Sequence, residues 1–192
     1  MKEMQRATAP IAVALDRLIL LAMLAILAAI LTAAMVMQYA FGEIPCPLCL
    51  LQRFAIFGCC FGLVWQLRSG GSERGTGITL IFSVLLLVIS ARQTLLDLFP
   101  RPGHEYVGSA ILGIHMPIWS VFIALALLLG FAARLALLGS PPAAPVAKSS
   151  RSGLLVQGLL IYLVLICTIN LVSVVLQCGV GECHTFGYRL LQ

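Results

Sequence analysis

Long apolar stretches alternate with short polar segments along the whole chain. A transmembrane helix needs roughly 20 apolar residues, and the stretches of that length lie at about residues 11–38, 46–67, 78–98, 116–138 and 154–177. Glycine, proline, serine and charged residues separate them, as in the turn at 68–77 and the linker at 140–152. The pattern predicts an all-α integral membrane protein, a single domain built as a bundle of five transmembrane helices. The apolar core of the first stretch is longer than a cleaved signal peptide needs, which favours a retained helix.

Composition supports this class. The 192 residues are 61% hydrophobic and 10% charged, whereas soluble domains are about 45–50% apolar and about 25% charged. A soluble fold of this size cannot bury so much apolar surface. A cytosolic enzyme, a disordered chain and a nucleic-acid-binding module are therefore excluded, and the net charge of +5 needs another explanation.

The basic residues indicate an orientation. With the amino terminus in the cytoplasm, that side holds eight of the twelve: Lys2, Arg6, Arg17, Arg68, Arg74, Arg134, Lys148 and Arg151. Because cytoplasmic segments are enriched in lysine and arginine, this arrangement is favoured. It places Cys46, Cys49, the loop at 99–115 and the tail at 178–192 on the other side. In a bacterium that side is oxidising, and disulfides persist there.

A CxxC pair, Cys46 and Cys49, stands at the predicted amino end of the second helix. Pro47 is tolerated in a first helical turn, and the free amide groups there favour the reactive thiolate. Arg53 follows Cys49 by four residues, so both share one helical face. Redox chemistry is the favoured interpretation. Half of a zinc site, or an arginine that only extends to the interface, are the alternatives.

A second intramembrane arginine, Arg92, lies at about the same predicted depth as Arg53. The polar residues Gln52, Gln93 and Asn170 fall in the same zone. Ionisable groups inside a membrane are costly and tend to face a functional site. We therefore predict a polar pocket for a lipid-soluble molecule with hydrogen-bond acceptors, such as a quinone, with Arg53 and Arg92 as its binding residues. A structural ion pair between Arg92 and Asp97 is the alternative.

The run from Cys46 to Arg53, followed by Phe54, Ala55, Phe57 and Gly58, resembles the CxxCxxxR signature of the DsbB family of bacterial inner-membrane enzymes. The resemblance implies a quinone-dependent enzyme that forms disulfides, with a four-helix core to which this chain adds a C-terminal helix. Cys49 would face the quinone, ubiquinone or menaquinone, and Arg53 would contact it. Cys46 would exchange with a second cysteine pair. The implied partner is a periplasmic, DsbA-like dithiol oxidase of thioredoxin fold, and the implied location is the inner membrane with the carboxyl terminus in the periplasm.

The chain departs from the family in its second cysteine pair. The family carries that pair in the loop between the third and fourth helices, but residues 99–115 contain no cysteine. Their apolar run at 107–114 suggests a short helix along the membrane surface. Cys178 and Cys183 in the tail are a candidate relocated pair. They either relay electrons to Cys46–Cys49 or form a purely structural disulfide. Three further cysteines lie among apolar neighbours and are interpreted as packing residues: Cys59, Cys60 and Cys167.

Two other function classes compete with the redox enzyme. A metal-binding or metal-transport protein would use Cys46, Cys49, Cys178 and Cys183 as four thiolate ligands. A redox-inert scaffold or transport subunit would leave the matching depths of Arg53 and Arg92 without an explanation. No resident metal is expected for the leading interpretation, and its cofactor is the quinone.

Overall fold

Helices dominate the structure. The computed structural model describes residues 2–70, 72–99, 110–138, 151–179, 188 and 190. Within these residues, five helices are long and apolar enough to cross a membrane, which confirms the predicted all-α membrane fold. They are α1 (Lys2–Ala40), α2 (Pro47–Ser69), α3 (Glu73–Leu98), α4 (Met116–Leu138) and α5 (Arg151–Cys178).

Successive helices run in opposite directions, so the bundle has two distinct ends. At one, Gln93 near the end of α3 and Gln177 near the end of α5 contact the segment that precedes α2. We call this the cysteine end because it holds Cys46 and Cys49. At the opposite end, Asp16 of α1 contacts Arg134 of α4.

Helix α2 forms the centre of the bundle. In its most apolar stretch, 56% of the residues are buried, against 22% in the corresponding stretches of α4 and α5. It packs tightly on α3 because glycine faces glycine: a Cβ on Gly62 would lie 2.8 Å from the carbonyl oxygen of Gly75. Large apolar side chains from α2 and the surrounding helices complete the core, among them Leu24, Leu31, Leu63, Leu86 and Phe131. The rigid centre thus carries the CxxC motif at its amino end.

A short β-hairpin precedes α4, where the sequence suggested a helix. β1 (Ala110–Ile111) pairs antiparallel with β2 (Ile114–His115). The two turn residues, Leu112 and Gly113, have φ angles of 55° and 76°, as a two-residue hairpin turn requires. The predicted helix at 107–114 is therefore wrong for 110–114, because these φ values are incompatible with a right-handed helix. Residues 107–109 lie outside the described part of the chain.

The end opposite the cysteines is closed by a buried ion pair. Arg134 Nε donates to Asp16 Oδ1, and its Nη2 lies 3.1 Å from Asp16 Oδ2. The oxygen of the Gln66 amide, oriented toward the guanidinium, accepts from both terminal nitrogens at 2.9 Å. The two charged side chains are each 3% exposed. Arg134 is thus an internal, neutralised charge, although the orientation count treated it as a surface residue.

Candidate redox site at the cysteine end

The amino end of α2 holds a disulfide. Cys46 caps the helix in an extended conformation, and its Sγ accepts a hydrogen bond from the backbone N–H of Cys49 at 3.1 Å. Pro47 occupies the first turn, where it removes no intrahelical hydrogen bond. Cys46 and Cys49 are bonded to each other, and both are half-buried. The predicted CxxC motif is therefore an oxidised pair at a helix terminus.

A cavity of about 480 Å³ lies beside this disulfide. It is enclosed by α1, α2, α3, α4 and the tip of the hairpin. Apolar side chains form most of its wall: Ile30, Met37, Ile44, Ile56, Leu112, Met116, Trp119 and Ile123. The polar groups that line it are grouped with the cysteines: Gln38, Glu43, Cys46, Cys49, Gln52, Arg53, Gln93 and Ser120. An apolar cavity with few, clustered polar groups is typical of a small-molecule site.

Three polar side chains form a chain of hydrogen bonds that ends at the sulfurs. Gln93 Nε2 lies 3.4 Å from Cys46 Sγ and 3.5 Å from Cys49 Sγ. Gln93 Oε1 accepts from Gln52 Nε2 at 2.9 Å, and Ser120 Oγ lies 3.3 Å from Gln52 Oε1. Because each amide is fixed at both its ends, the Gln93 N–H groups are directed at the disulfide. They are placed to stabilise a thiolate formed at either sulfur.

Arg53 is a buried cation whose hydrogen-bond acceptors are all neutral. Its side chain is 8% exposed. Nη1 donates to Gln38 Oε1 at 2.5 Å and to Asn170 Oδ1 at 3.3 Å, and Nη2 donates to the carbonyl oxygen of Ala34 at 3.1 Å. Buried charges are usually paired, as Arg134 is with Asp16. In the described residues no ion pair involves Arg53, so its positive charge is solvated by dipoles and is not cancelled.

Helix α5 brings the start of the tail to the cysteine end of the bundle. Gln177 is fully buried, and its Nε2 donates to the carbonyl oxygen of Pro45 at 2.8 Å. Cys178 follows directly; it is 5% exposed and is disulfide-bonded. Cys183 lies outside the described residues. The structure thus brings Gln177, the neighbour of Cys178, to the residue that precedes the CxxC motif. Three of the four candidate metal-ligand thiols are engaged in disulfides.

Comparison with known proteins identifies part of this arrangement. The family model of disulfide bond formation protein DsbB matches residues 16–105. Over this segment, just under half of the chain, the sequence is similar to the DsbB family. It is 32% identical over 103 residues to disulfide bond formation protein B of Azoarcus sp. (strain BH72), a match that covers 47% of this chain and 61% of that protein. It is 33% identical to the proteins of the same name from Chromohalobacter salexigens and Verminephrobacter eiseniae, over 46% and 42% of this chain.

The chain spans only about half the length of these DsbB-family relatives, 55% and 49% of the last two. No solved structure matches it significantly. The segment shared with the DsbB family contains Cys46, Cys49, Arg53 and Gln93, but it ends before the hairpin. Helices α4 and α5 lie beyond residue 105. Their contributions to the site, Ser120, Asn170 and Gln177, rest on the structure alone.

The structure brings together most of the residues that the sequence proposed for the site. Gln52 and Gln93 join the cysteines, and Asn170 joins Arg53. Arg92 does not: its side chain is exposed and does not line the cavity. The residue beside it, Gln93, faces the cavity instead, because neighbouring residues of a helix point about 100° apart.

Two buried polar residues of the site were missed from sequence, Gln38 and Ser173. Gln38 closes the apolar stretch of the first helix and was interpreted only as its boundary. Ser173 follows Asn170 by three residues. That spacing places both on one face of α5, so Ser173 could have been predicted from the sequence together with Asn170.

The remaining cysteines are free. Cys59 and Cys60 are buried in the core of α2, as expected for packing residues, whereas Cys167 lies on the exposed face of α5. Within the described ranges, no group of three or more histidine, cysteine or acidic side chains could hold a metal ion.

Proposed function

We propose that this chain is a thiol oxidase that takes two electrons from a dithiol on a partner protein and passes them to a membrane quinone. One observation carries the proposal: a CxxC disulfide lines the same cavity as a buried arginine that forms no ion pair within the described residues. The match of residues 16–105 to the DsbB family model, and the similarity to proteins named disulfide bond formation protein B, support the formation of disulfides in general. The proposed partner is a periplasmic thioredoxin-fold protein of the DsbA type.

The first half of the reaction is thiol–disulfide exchange at Cys46–Cys49. A partner thiolate attacks the Cys46 sulfur, and the S–S electron pair leaves on Cys49. The second partner thiol then displaces Cys46, which forms the partner's disulfide and leaves Cys46 and Cys49 reduced. Gln93 lies within hydrogen-bond distance of both sulfurs, so its amide donates to whichever sulfur carries the negative charge.

The cavity fits the second half of the reaction. Its apolar walls suit a quinone ring, and the N–H groups of Arg53 and Gln52 suit its carbonyl oxygens. When bound, a quinone would accept two electrons and two protons and leave the Cys46–Cys49 disulfide restored. Arg53 is preorganised to stabilise negative charge in this cavity, because the acceptors that it contacts in the described residues are neutral and already hold it in place.

The decisive experiment is anaerobic. Reduced partner, or a dithiol peptide, is mixed with the purified protein and a soluble quinone, and quinone absorbance is followed. The wild-type chain should reduce the quinone, and Cys49→Ser should abolish the reduction. Cys167→Ser is the matched control, because Cys167 is free and exposed on α5; it should keep full activity. Undiminished activity of Cys49→Ser would overturn the central assignment.

We further propose that Cys178 and Cys183 form the second pair and relay electrons to Cys46. Cys178 is disulfide-bonded and lies next to Gln177, which contacts Pro45. Because Cys178 is buried, the partner thiolate would attack Cys183 and release Cys178 beside the CxxC motif. The alternative is a disulfide that only secures the tail.

Trapping distinguishes the two roles of the tail pair. In the double variant Cys49→Ser with Cys183→Ser, a relay predicts a Cys46–Cys178 bond that mass spectrometry of the digested protein detects. In Cys178→Ser with Cys183→Ser, a relay predicts lost oxidation of the partner. Unchanged turnover in that variant would exclude the relay.

We also propose that the cysteine end faces the periplasm, with the amino terminus in the cytoplasm of a bacterial inner membrane. Eight of twelve basic residues favour this orientation, although Arg134 is internal and weakens the count. A maleimide that does not cross membranes should label the reduced Cys46–Cys49 pair in intact cells whose outer membrane is permeabilised. Labelling only after lysis of the inner membrane would reverse the orientation.

A further inference from the structure

Helix α5 lies beyond the family match, yet it presents a polar stripe to the redox site. Its buried positions follow a helical spacing along one face: Val156, Leu163, Ile166, Asn170, Ser173 and Gln177. The first three are apolar and the last three are polar. Their exposed neighbours Ile169, Val172 and Val175 are apolar. Polar side chains inside a membrane helix are costly and mark functional positions.

Each member of the stripe contacts a different part of the site. Asn170 Oδ1 accepts from Arg53 Nη1 at 3.3 Å, and Ser173 Oγ accepts from Gln38 Nε2 at 2.9 Å. Gln177 Nε2 donates to the carbonyl oxygen of Pro45 at 2.8 Å. One face of α5 therefore touches the arginine, its principal acceptor and the segment that carries Cys46.

The contacts of Gln38 determine which way its amide points. Its Nε2 donates to Ser173 Oγ and to the Tyr188 hydroxyl, both at 2.9 Å, so its Oε1 faces Arg53. An amide in the reverse orientation would direct its N–H groups at the guanidinium, where there is no acceptor. Ser173 and Tyr188 thus fix the oxygen that lies 2.5 Å from Arg53 Nη1.

We infer that α5 is a positioning element of the electron-acceptor site: Asn170 directly, and Ser173 through Gln38, hold the Arg53 guanidinium in the orientation in which it acts on the acceptor. This inference rests on the proposed function for its effect on quinone reduction. It assigns the added helix a role in the second half of the reaction, in addition to carrying the tail cysteine. Neutral oxygens suit this role, since a carboxylate in place of Asn170 would cancel the charge that Arg53 supplies.

The test is a double-mutant cycle between Asn170 and Arg53. Asn170→Leu should lower kcat/KM for a soluble short-chain quinone about tenfold, the effect of one hydrogen bond to a charged group. The stoichiometric oxidation of a dithiol peptide by the oxidised protein, measured without quinone, should not change. In an Arg53→Met background, Asn170→Leu should change kcat/KM less than about twofold, because the group that it positions is already absent.

Three further variants distinguish positioning of Arg53 from general damage to α5. Thr168→Val alters an exposed residue whose hydroxyl donates to Val164 of the same helix, and it should leave both half-reactions unchanged. Ser173→Ala should lower kcat/KM for quinone, whereas Ser173→Thr, which keeps the hydroxyl, should restore most of it. An Asn170→Leu protein that behaves like Thr168→Val, or that loses the same factor in the Arg53→Met background, would overturn the inference.

Thermal unfolding of wild type, Asn170→Leu, Arg53→Met and the double variant tests this inference independently of the proposed function. If the wild-type chain reduces no quinone, the proposed function fails. The contact between Asn170 and Arg53 still predicts that the two single shifts in unfolding temperature do not add in the double variant. Additive shifts would show that Asn170 does not hold Arg53, whatever the activity.

Discussion

The ion pair between Asp16 and Arg134 allows a quantitative prediction. Both side chains are 3% exposed, and the pair is bidentate. Asp16→Asn removes the negative charge and leaves the guanidinium buried without compensation. Loss of one partner of a buried pair costs about 3–5 kcal/mol. Since folded proteins are stable by only about 5–15 kcal/mol, this single change should remove at least about a fifth of the free energy of unfolding.

The double variant is expected to recover most of that loss. Arg134→Gln alone leaves the Asp16 carboxylate buried and should cost a similar amount. Asp16→Asn with Arg134→Gln removes both charges and leaves two amides that can hydrogen-bond to each other and to Gln66. Because a buried pair is often no more stabilising than neutral residues of similar size, the double variant should lie within about 2 kcal/mol of wild type.

The assay is reversible unfolding in mixed micelles by titration with a denaturing detergent, followed by helical circular dichroism. Arg53→Gln is the control, because Arg53 has neutral partners; it should cost less than about 2 kcal/mol. A double variant as unstable as the sum of its singles would refute the reasoning, since it would show that the two charges do not compensate each other. Dithiol oxidation should be unchanged in every Asp16 and Arg134 variant that stays folded, because α1 separates Asp16 from Ala40 by about 36 Å.

Other changes test the remaining parts of the structure. Gln93→Leu should slow the opening of the Cys46–Cys49 disulfide by an added dithiol about tenfold, since the departing thiolate loses a donor; stopped-flow rates equal to wild type would contradict this. Gly62→Ala should destabilise the protein by about 1–3 kcal/mol, because the new Cβ would lie 2.7 Å from the backbone nitrogen of Thr79. Gly77→Ala should not destabilise the protein in this way, because Gly77 has open space around it. Leu112→Asn should slow hydrogen exchange in the hairpin, because asparagine tolerates a positive φ that costs leucine about 1–2 kcal/mol; faster exchange would contradict the turn geometry.

Hydropathy and one motif were sufficient to predict the five helices and the family, because lipid imposes length and composition on each span separately. Gln52, Gln93 and Asn170 were also predicted as one polar zone, since depth in the membrane follows from position along each helix. Which residues touch was not predictable in the same way. Depth alone does not give rotation, and for that reason Arg92 was grouped with Arg53 although Gln93 occupies that side of α3.

Contacts between helices that are distant in sequence escaped prediction for a related reason. Arg134 was counted only among the cytoplasmic basic residues and its partner Asp16 was not predicted, because a single sequence does not show that α1 and α4 meet there. The hairpin at 110–115 was also missed. Its apolar run carries the hydropathy of a surface helix, and only the positive φ angles at Leu112 and Gly113 distinguish the two structures.

The two buried arginines explain why the cysteine end is suited to chemistry. Arg134 is matched by a carboxylate, so its field is cancelled within the protein and its contribution is to hold α1 against α4. Arg53 is surrounded by the oxygens of Gln38, Asn170 and Ala34, which solvate its charge without neutralising it. A negative charge that arises in the adjoining cavity is then stabilised by groups already in place. Asn170, which supplies one of those oxygens, and Gln177, which precedes Cys178, both belong to α5. The two halves of the proposed reaction therefore meet on a single helix, about seven residues or roughly 11 Å apart along its axis.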